Sequence, residues 1–212
     1  MQGSDPGELQ PAPDRVDNGP AGTRFSEVRR FSEVDSTNRY LLDLARLRPL
    51  QGVVAVADHQ TAGRGRQGRR WQAPRGTNLL MSVLLVPDLP ADQLYLCTAA
   101  AALAAADACR ELAGLQPSLK WPNDLVVGKR KLAGILAESV PLPDGGRRVV
   151  VVGLGLNVEW PPPDAGSAGF SATARRGPTT GFEGPGLSDF EPEDTSDPAA
   201  VLLTATSIRR ET

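Results

Sequence analysis

Histidine, cysteine and aromatic side chains are scarce in this 212-residue sequence, which has one histidine, two cysteines and 5% aromatic residues. A single imidazole, His59, leaves no zinc-ligand spacing and only one partner for a Ser-His-Asp or Cys-His mechanism. Cys97 and Cys109 both fall in the alanine-rich stretch 91–113. A helix there would separate them by roughly 18 Å, too far for a disulfide. Charge of one sign is also lacking: 23 Lys and Arg against 25 Asp and Glu give a net charge of -2. The whole molecule therefore has no bulk attraction for nucleic acid or anionic lipid, and any basic site must be local. No run approaches the roughly 18 apolar residues of a membrane span, and the start MQGSDPGELQPAPD has no basic-then-apolar signal pattern. The expectation is a soluble, cytoplasmic protein with no nucleic-acid or membrane partner.

Glycine and proline are abundant, with 22 and 19 copies, and unevenly placed. Residues 1–24 hold four of each and no aromatic residue, and read as a disordered leader. Residues 161–200 hold six glycines and seven prolines, with seven acids against two bases, and read as a disordered acidic insertion. Residues 25–160 form the candidate domain, and 201–212 read as its terminal segment.

Within residues 25–160 strand and helix signals alternate. RFSEVRRFSEV (24–34) reads as a strand, and DSTN (35–38) offers helix N-caps ahead of the apolar positions Tyr40, Leu41, Leu44 and Ala45, with Pro49 as the stop. VVAVA (53–57) and TNLLMSVLLV (77–86) read as strands, and 91–113 as a helix lying flat on the sheet. SLKW, DLVV, KLAGILAES and RRVVVVGLGLNV follow, separated by Gly128-Lys129 and Asp144-Gly145-Gly146, as a mainly antiparallel meander. The predicted fold class is α+β, a mainly antiparallel mixed sheet flanked by helices.

Between the strands at 53–57 and 77–86 lies HQTAGRGRQGRRW (59–71), a glycine loop with four arginines. Glycine lets backbone N–H groups approach an oxyanion, and guanidinium groups bind phosphate or carboxylate in bidentate fashion. The bland alternative is a solvated basic hairpin. Gly63, Gly65 and Gly68 spell G-x-G-x-x-G, but Trp71-Gln-Ala-Pro-Arg-Gly prevents the helix a dinucleotide fold needs there. A P-loop fails because Arg69 and Arg70 stand where Lys and Ser or Thr are required.

A second unusual segment is KWPND (120–124), followed by KLAGIL (131–136). Trp121-Pro122 demands extended backbone. Asn123 and Asp124 suit a turn, and equally suit contact with an adenosine or a Mg2+ shell. Lys120 and Lys131 on flanking strands are, taken alone, ordinary edge charges.

In combination, DSTN, HQTAGRGRQGRRW, KWPND, KLAGIL and GLGLNV (153–158) closely resemble the catalytic domain of biotin protein ligases, over roughly residues 25–160. The resemblance implies a class II synthetase-type α+β domain and two half-reactions. Biotin and MgATP give biotinyl-5′-adenylate and pyrophosphate, and a lysine of a biotin carboxyl carrier protein then takes the biotinyl group. It also implies biotin contacts from Ser36, Thr37, Asn38, Gln60, Gly63, Arg64, Gly65, Arg66, Lys131 and Gly134. Nucleotide contacts would come from Arg66, Arg69, Trp71, Lys120, Asn123, Asp124 and Asn157, with Arg66 and Lys131 as the catalytic cations. No residue is assigned directly to the metal. Helix capping by the DSTN residues is compatible with ligand contact, and Trp71 is equally readable as an adenine wall or as an anchor for the loop base.

Many members of that family continue into a C-terminal SH3-like domain where this sequence stops, and some begin with a DNA-binding domain that it does not show. Two expectations follow: a monofunctional biotin ligase, or a biotin- and biotinyl-adenylate-binding protein that no longer transfers. A homodimer through an edge strand of the meander is left open.

Overall fold

The computed structural model describes residues 11–48, 50–142 and 147–159. They form one eight-stranded sheet, ordered β1-β2-β3-β4-β8-β7-β6-β5, with two α-helices. The strands are β1 (Arg15–Asn18), β2 (Glu27–Phe31), β3 (Val53–Ala57), β4 (Asn78–Leu85), β5 (Ser118–Lys120), β6 (Asp124–Val127), β7 (Arg130–Pro141) and β8 (Arg148–Asn157). Only β2 and β3 pair in parallel, because α1 (Thr37–Leu47) carries the chain back between them; every other pairing is antiparallel. The expected α+β class and mixed, mainly antiparallel sheet are thus found.

The helices sit on opposite faces, and β8 shows why. Its valines alternate at the two-residue period of a strand: Val149 and Val151 pack with Leu41, Leu44 and Tyr40 of α1, whereas Val150 and Val152 pack with Ala102, Ala106 and Cys109 of α2 (Tyr95–Ala113). All four are at least 96% buried, and burying each contributes about 1.5–3 kcal/mol of hydrophobic stabilisation. Alanines at the α2 contact let the helix lie close to the strands, as Ala106 is wholly buried. Helix α1 is capped by Ser36, whose Oγ accepts from the Arg39 N–H at 3.4 Å. Helix α2 ends at Gly114, in the left-handed region at φ 66°.

Several boundaries differ from the sequence reading. The strand predicted over 24–34 is confined to Glu27–Phe31, because Val34 leaves the sheet to form a separate parallel bridge with Gln60. The helix predicted over 91–113 starts at Tyr95, after a 3-10 turn at Ala91–Gln93 behind Pro90. The reading of 1–24 as a disordered leader fails for Arg15–Asn18, which pair with β2. That strand is polar and is stitched by ion pairs from Asp17 to Arg15 and Arg30, a type of stabilisation that hydropathy does not reveal. Residues 1–10 and the regions 161–200 and 201–212 lie outside the described residues. Cys97 and Cys109 are both free and buried, and burial pushes both thiols up in pKa. Among the described residues no helix is long and apolar enough to cross a membrane.

Asp14, which accepts from the Ser32 backbone N–H, and Asp17, held by Arg15 and Arg30, have carboxyls below their ordinary value of 3.8. A lowered folded-state pKa stabilises the fold above the unfolded value and is lost as pH falls through the folded one. Hydrogen-exchange protection of β1 should therefore be constant between about pH 5 and 8 and fall below about pH 3.8. Protection that persists unchanged well below that pH would show that the two carboxylates do not hold the strand.

Candidate functional site

The face of the sheet that carries α1 changes character along β8. Val149 and Val151 are followed on that face by Gly153 and Gly155, and Gly155 stands directly across from Gly134 of β7. These glycines leave room for named neighbours. A Cβ on Gly153 would lie 2.1 Å from Asn38 Oδ1, and one on Gly155 would lie 2.4 Å from the Trp71 ring. One on Gly134 would lie 3.0 Å from Trp71 and 3.3 Å from Lys131 Nζ. The three positions make a shelf with the Asn38 amide at one end and the Trp71 indole at the other.

The N-terminal turn of α1 delivers Ser36, Thr37 and Asn38, all buried to 96% or more. Three polar side chains at that depth require partners. Thr37 Oγ1 lies 2.7 Å from Ser82 Oγ on β4, and Ser82 Oγ donates to Asn38 Oδ1 at 2.6 Å. Asn38 Nδ2 donates to the Leu136 carbonyl at 3.1 Å and to Glu138 Oε2 at 2.9 Å. The Thr37 backbone N–H donates to Gln60 Oε1 at 2.8 Å, tying the helix to the start of the arginine loop.

That loop is folded onto itself. Arg64 and Arg70 pair as an isolated antiparallel bridge, the Gly65 N–H donates to the Arg69 carbonyl at 2.7 Å, and the Trp71 N–H donates to the Gly63 carbonyl at 3.0 Å. Gly63 is obligatory here, since a Cβ would lie 2.3 Å from the Trp71 carbonyl oxygen. At the tip Gln67 and Gly68 both adopt positive φ, 55° and 75°. Arg64 forms an ion pair with Glu138 at 2.9 Å. Arg66 Nη1 donates to Asn123 Oδ1 at 3.0 Å, joining the loop to the KWPND turn.

On the other side of the shelf, Lys131 Nζ lies 2.9 Å from Asp124 Oδ1 and 5.5 Å from the centroid of the Trp71 ring. The Lys131–Asp124 contact is an ion pair by distance without hydrogen-bond alignment, because Asp124 Oδ1 has no directed donor. Asn157 Nδ2 donates to the Lys131 carbonyl at 3.3 Å, and Asn78 Nδ2 donates to Asn157 Oδ1 at 3.1 Å. The indole Nε1 of Trp71 is buried without a hydrogen-bond partner among the described residues. Two clefts border the assembly. One of about 530 Å³ is lined by Asp35, Ser36, Arg39 and Arg64, and one of about 190 Å³ by Arg66, Trp121 and Asn123.

Of the residues singled out from the sequence, Ser36, Thr37, Asn38, Gln60, Gly63, Arg64, Gly65, Arg66, Trp71, Asn123, Asp124, Lys131, Gly134 and Asn157 belong to this connected group. The side chains of Arg69 and Lys120 do not, although the Arg69 backbone bonds Gly65 and Arg66. The Arg69 side chain reaches only Gln67, at 3.5 Å, and Lys120 is exposed on β5, where its cross-strand neighbour is Asp124. Ser82, Glu138 and Asn78 were not singled out, because a lone Ser, Glu or Asn within a strand carries no motif. The available signal was position: Ser82 interrupts the apolar side of β4 between Leu80 and Leu84, all three at most 2% exposed. Gly153 and Gly155 are where side chains approach the strand backbone, Asn38 at the first and Trp71 at the second.

Comparison with known proteins is consistent with this geometry. The model of the biotin/lipoate A/B protein ligase family matches residues 31–157, more than half of the chain. The chain belongs to that family. In the biotin/lipoate A/B protein ligase family it is 41% identical over 156 residues to the biotin–[acetyl-CoA-carboxylase] ligase of Mycobacterium tuberculosis, covering 69% of this chain and 56% of that protein. It is 39% identical over 131 residues to the bifunctional ligase/repressor BirA of Bacillus subtilis, covering 62% and 40% respectively. Among solved structures, the biotin protein ligase from Aquifex aeolicus in complex with biotin and ATP superposes with a TM-score of 0.51 at 35% identity, over 62% of this chain and 52% of that one. The chain thus spans about two fifths to just over half the length of these relatives.

The shelf makes a direct prediction for this family member. Gly155→Ala should push the Trp71 indole off β8, seen as a red shift of its emission against a Trp71→Phe reference, and destabilise the fold by about 1–3 kcal/mol. Unchanged emission would mean that Trp71 does not rest on the glycines.

Proposed function

We propose that this chain activates biotin with ATP as biotinyl-5′-adenylate and passes the biotinyl group to a lysine of a biotin carboxyl carrier protein. The observation that carries the reading is the joining of three separate sequence segments around one glycine shelf: the α1 N-terminus, the arginine loop and the β6–β7 hairpin. Uncharged polar groups gather at one end of the shelf, where the cation Arg64 is paired with Glu138, and Lys131 and Arg66 stand toward the other. That polarity suits a ligand with an uncharged hydrogen-bonding head and a carboxylate tail.

The chemistry needs no protein nucleophile, in keeping with a single histidine and two buried cysteines. A biotin carboxylate oxygen attacks the α-phosphorus of ATP and pyrophosphate leaves. A carrier-lysine amine then attacks the acyl carbon, and AMP leaves. Two anions must be brought together in the first step, so the protein's task is to orient them and neutralise charge. Arg66 and Lys131 are assigned that role, since both stand beside the shelf with side chains that hydrogen bond or ion pair within reach of one another's strand and turn. Ser36, Thr37, Asn38, Gln60, Gly63, Arg64, Gly65 and Gly134 would enclose biotin, and Asn123, Asp124, Asn157 and Trp71 would border the nucleotide. Arg69 and Lys120, lying outside the connected group, would act only on closure around ATP.

Mg2+ would enter with the triphosphate. Among the described residues no cluster of three His, Cys, Asp or Glu could hold a metal. Asp124 is the carboxylate beside the shelf on the β6–β7 hairpin, so phosphate oxygens and water would supply most ligands. An acyl adenylate hydrolyses in water, which gives the arginine loop a shielding purpose as well as a binding one.

Incubation with biotin and MgATP should release pyrophosphate and form adenylate. Arg66→Ala and Lys131→Ala should each lower that rate by about 10²- to 10³-fold while leaving the fold intact. Label appearing on a carrier lysine separates a full ligase from a protein that stops at the adenylate. Absence of adenylate from the folded wild-type chain would overturn the reading.

A further inference from the structure

We propose that Glu138 is a positioning residue that pins the base of the arginine loop to the shelf, and so governs how tightly biotin is bound. The proposal rests on the biotin reading above and assigns a new member of the same site.

Proton counting leads to Glu138. Ser82 has one hydroxyl proton, and it goes to Asn38 Oδ1 at 2.6 Å. Thr37 Oγ1 lies 2.7 Å from Ser82 Oγ and 3.1 Å from Gln60 Oε1; with the Ser82 proton on Asn38, the shorter contact takes the Thr37 proton, and Gln60 Oε1 accepts from the Thr37 backbone N–H at 2.8 Å. Every donor along this chain thus points the same way, from Thr37 through Ser82 to Asn38. The two Asn38 amide protons go to the Leu136 carbonyl and to Glu138 Oε2. The one-way chain thus ends on two acceptors, the Leu136 carbonyl and the Glu138 carboxylate, and of the two only Glu138 has a second oxygen to offer.

The second oxygen of that carboxylate faces the loop. Glu138 Oε1 pairs with Arg64 Nη2 at 2.9 Å, and the Glu138 side chain is 21% exposed where Arg64 is 48% exposed. Shielded on the sheet side and open on the loop side, Glu138 joins a buried polar chain to a half-exposed cation. Gln60 and Arg64, four residues apart on the same loop, are therefore each fastened to the α1 N-terminus, Gln60 through Thr37 and Arg64 through Glu138 and Asn38. The stretch between them is held at both ends, while the tip at Arg66–Gly68 is not included in either attachment.

Glu138→Gln tests the two halves separately. Its amide oxygen can still accept from Asn38, but its NH2 then meets the Arg64 guanidinium donor to donor, so the loop attachment is lost while the buried chain is kept. Amide exchange in the ligand-free protein and biotin binding by calorimetry would be measured on wild type, Glu138→Gln, Glu138→Asp, Arg64→Ala and the Arg64→Ala/Glu138→Gln double variant. Exchange at the Ala62 and Gly65 amides should speed up about tenfold in Glu138→Gln with the melting temperature nearly unchanged, and Glu138→Asp should restore part of the protection. Biotin should bind about tenfold more weakly to Glu138→Gln and to Arg64→Ala, the double variant should be no worse than either, and the KM for ATP should stay within about twofold. Exchange at wild-type rates in Glu138→Gln, or losses of biotin affinity that add in the double variant, would overturn the pinning. Failure of the wild type to bind biotin would overturn the functional reading, and the ligand-free exchange rates would still decide whether Glu138 holds the loop.

Discussion

Strand β8 runs between two helices, and its strict alternation is the constraint on which the remaining structure depends. Because Val149 and Val151 feed one core and Val150 and Val152 the other, a slip of one residue would exchange the two faces wholesale. The same register sets Gly155 opposite Gly134 and brings Gly153 under Asn38. Stability and site geometry are thus fixed by one set of backbone hydrogen bonds. The apolar half of the strand holds the sheet between the helices, and the glycine half clears a surface on it.

The polar groups on that surface are costly to bury, and their arrangement explains why they persist. Thr37, Asn38 and Ser82 are more than 95% buried and find their hydrogen-bond partners mainly in one another. Removing one member strands its neighbours without water to replace the bond, so the group behaves as a unit. Lys131, Asp124 and Asn157 make a second unit across the shelf, with Trp71 between them and the loop. A ligand lying along the shelf would touch both units at once, which is how a small site can discriminate between the two ends of a long molecule.

Much of the fold could be read in advance where one period dominated. The 53–57 and 77–86 strands and the α1 helix emerged with their boundaries nearly right, because apolar spacing and the DSTN cap agreed. Strand β1 is not legible from hydropathy because Asp17 contributes by pairing with Arg30, a residue more than ten positions away, as well as with Arg15. The site was legible to the extent that it was written in motifs. Glu138, Ser82 and Asn78 belong to it through register: each lies on a strand whose neighbours come from distant parts of the sequence, and only the assembled sheet reveals which side chains share a face. The Arg69 side chain, a motif position, contacts only Gln67 among the described residues.

The protected state of the two native thiols has a practical consequence. Cys97 and Cys109 lie on the buried face of α2 at 8% and 2% exposure, where burial raises both thiol pKa values and keeps them poorly reactive. A single cysteine introduced at the exposed loop tip, at Gln67, would therefore be the one readily alkylated sulfur among the described residues of the folded molecule. A fluorophore or spin label could be placed there without first stripping the protein of its own cysteines. Whether a ligand changes the position of the loop tip could in this way be read directly.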